Sequence, residues 1–157
     1  MLKNCPIAAA ILAIAAMASP SFAQTFSPSS GSVTGTGPIR FQQTYSLNCT
    51  LSITAAPLSA TTAPIPTRTV SPGDFICLTV IPFGAWKIDV VPGSINSIAL
   101  TIGATSGQPC YGTTIVAWNN ANSTATFNNN ILPAVNPADP PCAIVAGFIR
   151  IPGLQIL

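Results

Sequence analysis

The chain has 157 residues, 48% of them hydrophobic and only 5% charged, with no His and no Glu. That apolar content can offset chain entropy, so the chain is expected to fold, and so few cations exclude a nucleic-acid partner. With three aspartates as its only side-chain carboxylates, it also lacks the groups that most acid/base and zinc chemistry requires.

Residues 1–23 read as a secretory signal: a basic start at Lys3, an apolar stretch from Ile7 to Met17, then Ser21-Phe22-Ala23 before Gln24. The stretch is shorter than the roughly 20 residues that cross a bilayer, so removal is expected, Cys5 leaving with the signal. Residues 24–157 then form a single β domain, exported to the periplasm or beyond the cell, with no transmembrane span. Its charges are Arg40, Arg68, Lys87 and Arg150 against Asp74, Asp89 and Asp139, one net positive charge.

From Ile39 to Thr54, apolar side chains hold the odd positions and polar ones the even, with Gln43 the one exception. This period of two predicts a half-buried strand, unusually long or bent at Gln43. Ala56 to Gly73 carries Pro57, Pro64, Pro66 and Pro72 and is expected to be a long loop or a pair of edge strands. Asp74 to Phe83 is an apolar run that predicts a strand buried on both sides or crossing the core. Trp86, Ile88 and Val90 alternate with Lys87 and Asp89, which share an outward face, before a Pro92-Gly93 turn. Ile98 to Ile102 continues the pattern until Gly103 ends it, and Thr113 to Trp118 is closed by Asn119-Asn120. Asn128 to Cys142 reads as a second loop. Ile144, Ala146 and Phe148 then alternate toward Pro152-Gly153. No stretch has sustained helical spacing. The predicted class is all-β, an antiparallel sandwich or, alternatively, a small barrel.

Cys49, Cys77, Cys110 and Cys142 remain after the signal, an even number in an exported chain, which predicts two disulfides. Of three possible pairings, nearest neighbours are favoured, Cys49 with Cys77 and Cys110 with Cys142, because each staples the Pro-rich loop between its members. No catalytic, cofactor-binding or metal-ligating set emerges. Asn48-Cys49-Thr50 and Asn122-Ser123-Thr124 match the glycosylation tripeptide, a short pattern that an Asn/Thr-rich chain produces by accident. Phe83, Trp86, Tyr111 and Trp118 are the candidates for an apolar contact surface, although aromatics in a small β protein are more often core because they bury large areas there. Seventeen Thr, with many Ser, Asn and Gln, stand where charges are usual, so the exterior offers little repulsion against self-association.

Phe26-Ser27-Pro28-Ser29-Ser30-Gly31, Leu47-Asn48-Cys49-Thr50-Leu51 within Ile39 to Leu51, Gly73-Asp74-Phe75-Ile76-Cys77, Cys110-Tyr111-Gly112-Thr113 and Trp118-Asn119-Asn120-Ala121 resemble the exported bacterial activators of alkane oxidation. The resemblance implies a small secreted, non-enzymatic protein that promotes growth on long-chain alkanes through contact with hydrocarbon, another hydrophobic surface or the cell surface. It transfers no catalytic residues. A subunit of a surface fibre or biofilm matrix is the alternative, since exported pilins pair a Gly-rich start with an early strand cysteine, but this chain ends Leu154-Gln155-Ile156-Leu157 without their penultimate Tyr. An outer-membrane barrel shares the alternation but not the four cysteines or the Pro-rich loops.

Overall fold

A computed structural model describes residues 23–157 apart from 57 and 106. Apart from Ala23, the signal segment and Cys5 lie outside the described residues. Alternation in residue polarity gives strands, and the strands are β1 (Phe26–Ser27), β2 (Val33–Gln42), β3 (Ser46–Ala55), β4 (Thr62–Ile65), β5 (Thr67–Pro72), β6 (Ile81–Pro82), β7 (Trp86–Val90), β8 (Ser97–Thr105), β9 (Pro109–Asn119), β10 (Thr124–Leu132), β11 (Cys142–Arg150) and β12 (Gln155–Ile156). All pairings are antiparallel. The main sheet runs β4-β7-β8-β9-β10-β11-β2-β3-β5, with β6 beside β8, while β1 and β12 pair separately.

The first and last strands of that order, β4 and β5, are consecutive in the chain and separated only by Pro66, so the sheet curls until its edges meet at one corner. The result is a nearly closed, barrel-like sheet. Arg68 of β5 spans the seam: its guanidinium donates to the Ile65 and Gly84 carbonyls at 3.2 and 2.6 Å and lies 5.4 Å from the centre of the Trp86 ring. The Pro-rich segment expected to be a loop or edge strands thus supplies both edges, where a missing N–H costs no ladder bond.

Inside, the odd positions of β2 and β3, including Ile39, Phe41, Leu47, Leu51 and Ile53, join Ile88, Leu100, Val116, Phe127 and Ile149 in one core. Outside, Thr34, Thr36, Thr67 and Thr69 are exposed. This polarity is the inverse of a membrane barrel, whose apolar face turns outward. No helix among the described residues is long and apolar enough to cross a membrane.

Several expectations are corrected. The long alternating segment is two strands, β2 and β3, joined by a turn at 43–45; the parity is the same in both because Gln42 pairs with Ser46 across a three-residue loop. Gly103 does not end β8. A side chain there would strike the Tyr111 ring and the Phe83 carbonyl, so the glycine lets Tyr111 lie across the strand. Asn128 to Leu132 belongs to β10, leaving 133–141 as the loop. In β11 a register shift between Ile144 and Ala146, with Gly147 at φ +128°, reverses the alternation. Ile144 and Ile149 therefore point inward and Phe148 outward.

Candidate functional site: an apolar end braced by two disulfides

Following the strands by register separates the barrel's two ends. One end holds the β1–β12 pair and the turns at 58–61, 91–96 and 120–123. The other holds the turn at 43–45, the segment from Gly73 to Pro82, the β8–β9 turn and the loop 133–141. Both cross-links are at this second end: Cys49–Cys77 with an S–S distance of 2.10 Å and Cys110–Cys142 at 2.05 Å. The pairing is nearest-neighbour. What lies between Cys49 and Cys77, however, includes two whole strands, β4 and β5, as well as loop.

Phe75–Thr79, read from sequence as a strand crossing the core, is a 3-10 turn. Pro72-Gly73 ends β5, and the Asp74 carboxylate accepts from the Asn48 backbone N–H at 2.6 Å and from the Asn48 side-chain amide at 3.3 Å. The Asp74 N–H donates back to the Asn48 carbonyl at 2.8 Å. These bonds, with the buried Cys77 disulfide, fasten the turn to β3. A period of three then turns one column inward, Cys77 and Val80, and leaves Phe75, Leu78 and Ile81 facing water. Phe75 is 86% exposed and Leu78 60%.

Of the eleven exposed large apolar side chains among the described residues, seven are at this end: Tyr45, Phe75, Ile76, Leu78, Ile81, Ile131 and Val135. Its loops are tied together. The Gln43 side-chain amide donates to the Pro140 carbonyl at 3.2 Å, the Tyr111 N–H to Pro133 at 3.1 Å, and the Val135 N–H to Pro109 at 2.9 Å. Apolar side chains scattered singly over a surface are ordinary, whereas a cluster held on braced loops marks a contact surface.

The four aromatic candidates do not form one groove. Trp86 and Trp118 are 5% and 3% exposed, in the core, and lie toward opposite ends of the barrel. Trp86 donates its indole N–H to the Phe83 and Gly103 carbonyls, and Trp118 to Asn120 Oδ1 at 2.7 Å. A buried indole requires such partners, which explains why these residues sit where backbone carbonyls or an amide are within reach. Phe83 and Tyr111 are partly exposed beside the apolar end, with ring centres 6.1 Å apart, and the Tyr111 hydroxyl donates to the Ala85 carbonyl. Phe75, Ile76, Leu78 and Ile81 were not among the candidates. Their signal was the three-residue spacing of Phe75, Leu78 and Ile81, which a uniformly apolar run conceals.

Two of the three carboxylates are engaged structurally. Asp74 holds Asn48, and Asp89 in β7 accepts from Lys87 Nζ at 2.9 Å and from the Thr62 hydroxyl at 2.8 Å. Asp139 lies in the loop 133–141. The Lys87 pKa is raised by its hydrogen bond to Asp89, with the charge attraction second, as expected of a surface ion pair.

A family model described as "Alkane oxidation protein activator PraA/PraB-like" matches residues 1–156. No curated protein and no solved structure matches the chain.

Proposed function

The chain belongs to the PraA/PraB-like family of alkane oxidation protein activators, and from that premise we propose that it is an exported, non-enzymatic protein that promotes the use of long-chain alkanes by contact with a hydrophobic interface. In this reading residues 1–23 are removed, and residues 24–157 act in the periplasm or outside the cell. The observation that carries the reading is the clustering of Phe75, Ile76, Leu78 and Ile81 on a turn that a disulfide and the Asn48–Asp74 bonds hold outward. Transfer of each such side chain from water to hydrocarbon contributes roughly 1.5–3 kcal/mol. Because the turn is already fixed, little ordering entropy opposes that transfer. The hydroxyl-rich wall keeps the rest of the molecule wetted, so the protein sits at the boundary with one end in oil.

Adsorption to hexadecane droplets and pendant-drop tensiometry test this. The purified protein is expected to bind droplets and lower interfacial tension, and the double variant Phe75→Ser with Leu78→Ser to lose most of both effects while melting within a few degrees of the parent. An unaltered droplet affinity in the double variant would overturn the assignment. So would a concentration-dependent oligomer that buries this end and leaves no adsorption, which would favour self-association as its role.

A further inference from the structure

A second feature lies on the side wall, away from the apolar end. The outer surface of β11, β2, β3 and β5 carries an open groove of about 690 Å³, inside the range of about 300–1,000 Å³ usual for small-molecule sites. Pro38, Phe148 and Pro152 line it together with threonines of β2, β3 and β5, whose methyl groups add to a largely carbon surface. Its one charged lining residue is Arg150, which stands beside Thr36 in the β11–β2 register. Among the described residues the only ion pair is Lys87–Asp89, so Arg150 has no carboxylate partner. The β11 register shift is what turns both Phe148 and Arg150 outward, the local re-aiming that bulges produce. The only polar pair in the groove that is already satisfied is Thr36 Oγ1 with Ser52 Oγ, 3.0 Å apart.

An apolar trough with one unpaired guanidinium matches a ligand having one alkyl chain and one anionic head. Three strand spacings give the groove a width of about 14 Å, the reach of an extended chain of about a dozen carbons. A guanidinium binds a carboxylate through two parallel hydrogen bonds, a geometry that an alcohol head cannot reproduce. We infer that this groove binds a long-chain carboxylate, with Arg150 holding the head group and Phe148 and Pro38 packing on the chain. Terminal oxidation of an alkane ends in this class of compound. The inference concerns a site separate from the apolar end and stands or falls independently of it.

Calorimetric titration of the purified protein with dodecanoate, below its micelle concentration, tests the site; dodecan-1-ol serves as the uncharged match and phosphatidylglycerol vesicles as the other anionic source. Saturable one-to-one binding of dodecanoate is expected. Arg150→Gln should weaken it about tenfold, in keeping with loss of a charge-assisted pair, and leave dodecan-1-ol unchanged. Phe148→Ser should weaken both, and an unshifted melting temperature for Arg150→Gln shows that the fold is intact. The double variant Phe75→Ser with Leu78→Ser should bind dodecanoate as the parent does, although it loses droplet adsorption. Absence of saturable binding, indifference to Arg150→Gln, binding only to vesicles, or loss in the apolar-end variant would each overturn the inference.

Discussion

The two ends of the barrel are built from similar residues put to opposite uses. At the end closed by β1 and β12, Phe26, Trp118, Leu154 and Ile156 are buried, and backbone bonds join Thr25 to Leu157, Phe26 to Ala60 and Ile151 to Ser123. At the other, Tyr45, Phe75, Leu78 and Ile81 face outward, and the loops are held by the two disulfides. Phe26, Trp118, Leu154 and Ile156 at the first end add to the core. Those at the second forgo burial, which forfeits roughly 1.5–3 kcal/mol for each large side chain, and covalent closure offsets that loss. Composition does not distinguish the ends. What does is whether a further pair of strands lies over them.

The largest way to break this contrast is to remove the cover from the closed end. Phe26→Ala takes a fully buried ring from the β1–β12 pair and is expected to cost about 3–5 kcal/mol, read as a lower urea midpoint. Its droplet adsorption per folded molecule should stay at the parental level, because the apolar end is at the opposite pole. The double variant Cys49→Ser with Cys77→Ser attacks the other pole. Opening a loop of that size costs about 3–4 kcal/mol in the loop-entropy model, and here adsorption should fall along with stability, since the turn presenting Phe75 loses its anchor. If the Cys variant adsorbed as well as the parent, the braced geometry of the turn would be irrelevant to contact.

A smaller effect isolates one side chain of the closed end. Asn120 imitates a strand: its Oδ1 accepts from the Ile156 N–H at 2.8 Å and from the Trp118 indole at 2.7 Å, and its Nδ2 donates to the Ile156 carbonyl at 2.7 Å. Asn120→Ala leaves three polar groups without partners and should cost about 2–3 kcal/mol, a loss that Asn120→Asp only partly restores because a carboxylate cannot donate. Denaturation of the two variants side by side measures the imitation.

These cases show which parts of the molecule could be read from the sequence. Alternation named the faces of β2, β3 and β7 correctly, since one side of each meets the core and the other is more open to water, whereas in β8 Thr101 and Gly103 are buried along with Ile98, Leu100 and Ile102. It failed wherever something other than the pleat sets direction. In β11 the bulge between Ile144 and Ala146 reverses the parity, so Phe148 and Arg150 reach the groove instead of the positions alternation assigns. At Phe75–Thr79 every residue but one is apolar, so hydrophobicity carries no directional information, and the disulfide at Cys77 together with the Asn48–Asp74 bonds decides which side is in. The cysteine pairing was one of three open to the sequence; the favoured nearest-neighbour choice matches, although the segment between Cys49 and Cys77 holds two strands and not just the loop that choice assumed. The exposed turn was not legible, because its orientation depends on Asn48 and Asp74, 26 residues apart.

The smallest expected effect concerns the wall between the poles, where Lys87 and Asp89 face outward on β7, 2.9 Å apart. The hydrogen bond to Asp89, and then the attraction of its charge, raise the Lys87 pKa above its ordinary 10.5. A pKa higher in the folded state than in the unfolded state means that the folded state holds the proton more tightly. The pair's contribution is therefore complete below the ordinary lysine value and is lost as pH rises through the higher folded value. Lys87 is exposed, so solvent screens the interaction and Lys87→Met should leave the melting temperature at pH 7 unmoved. Asp89→Ala removes the acceptor of the Thr62 hydroxyl as well, the side-chain tie between β7 and the edge strand β4. Its cost of about 1 kcal/mol should persist at pH 11, where the lysine contribution is already declining. Equal effects of the two substitutions across that pH range would show that the ion pair, and not the hydroxyl bond, secures the edge of the sheet between its two ends.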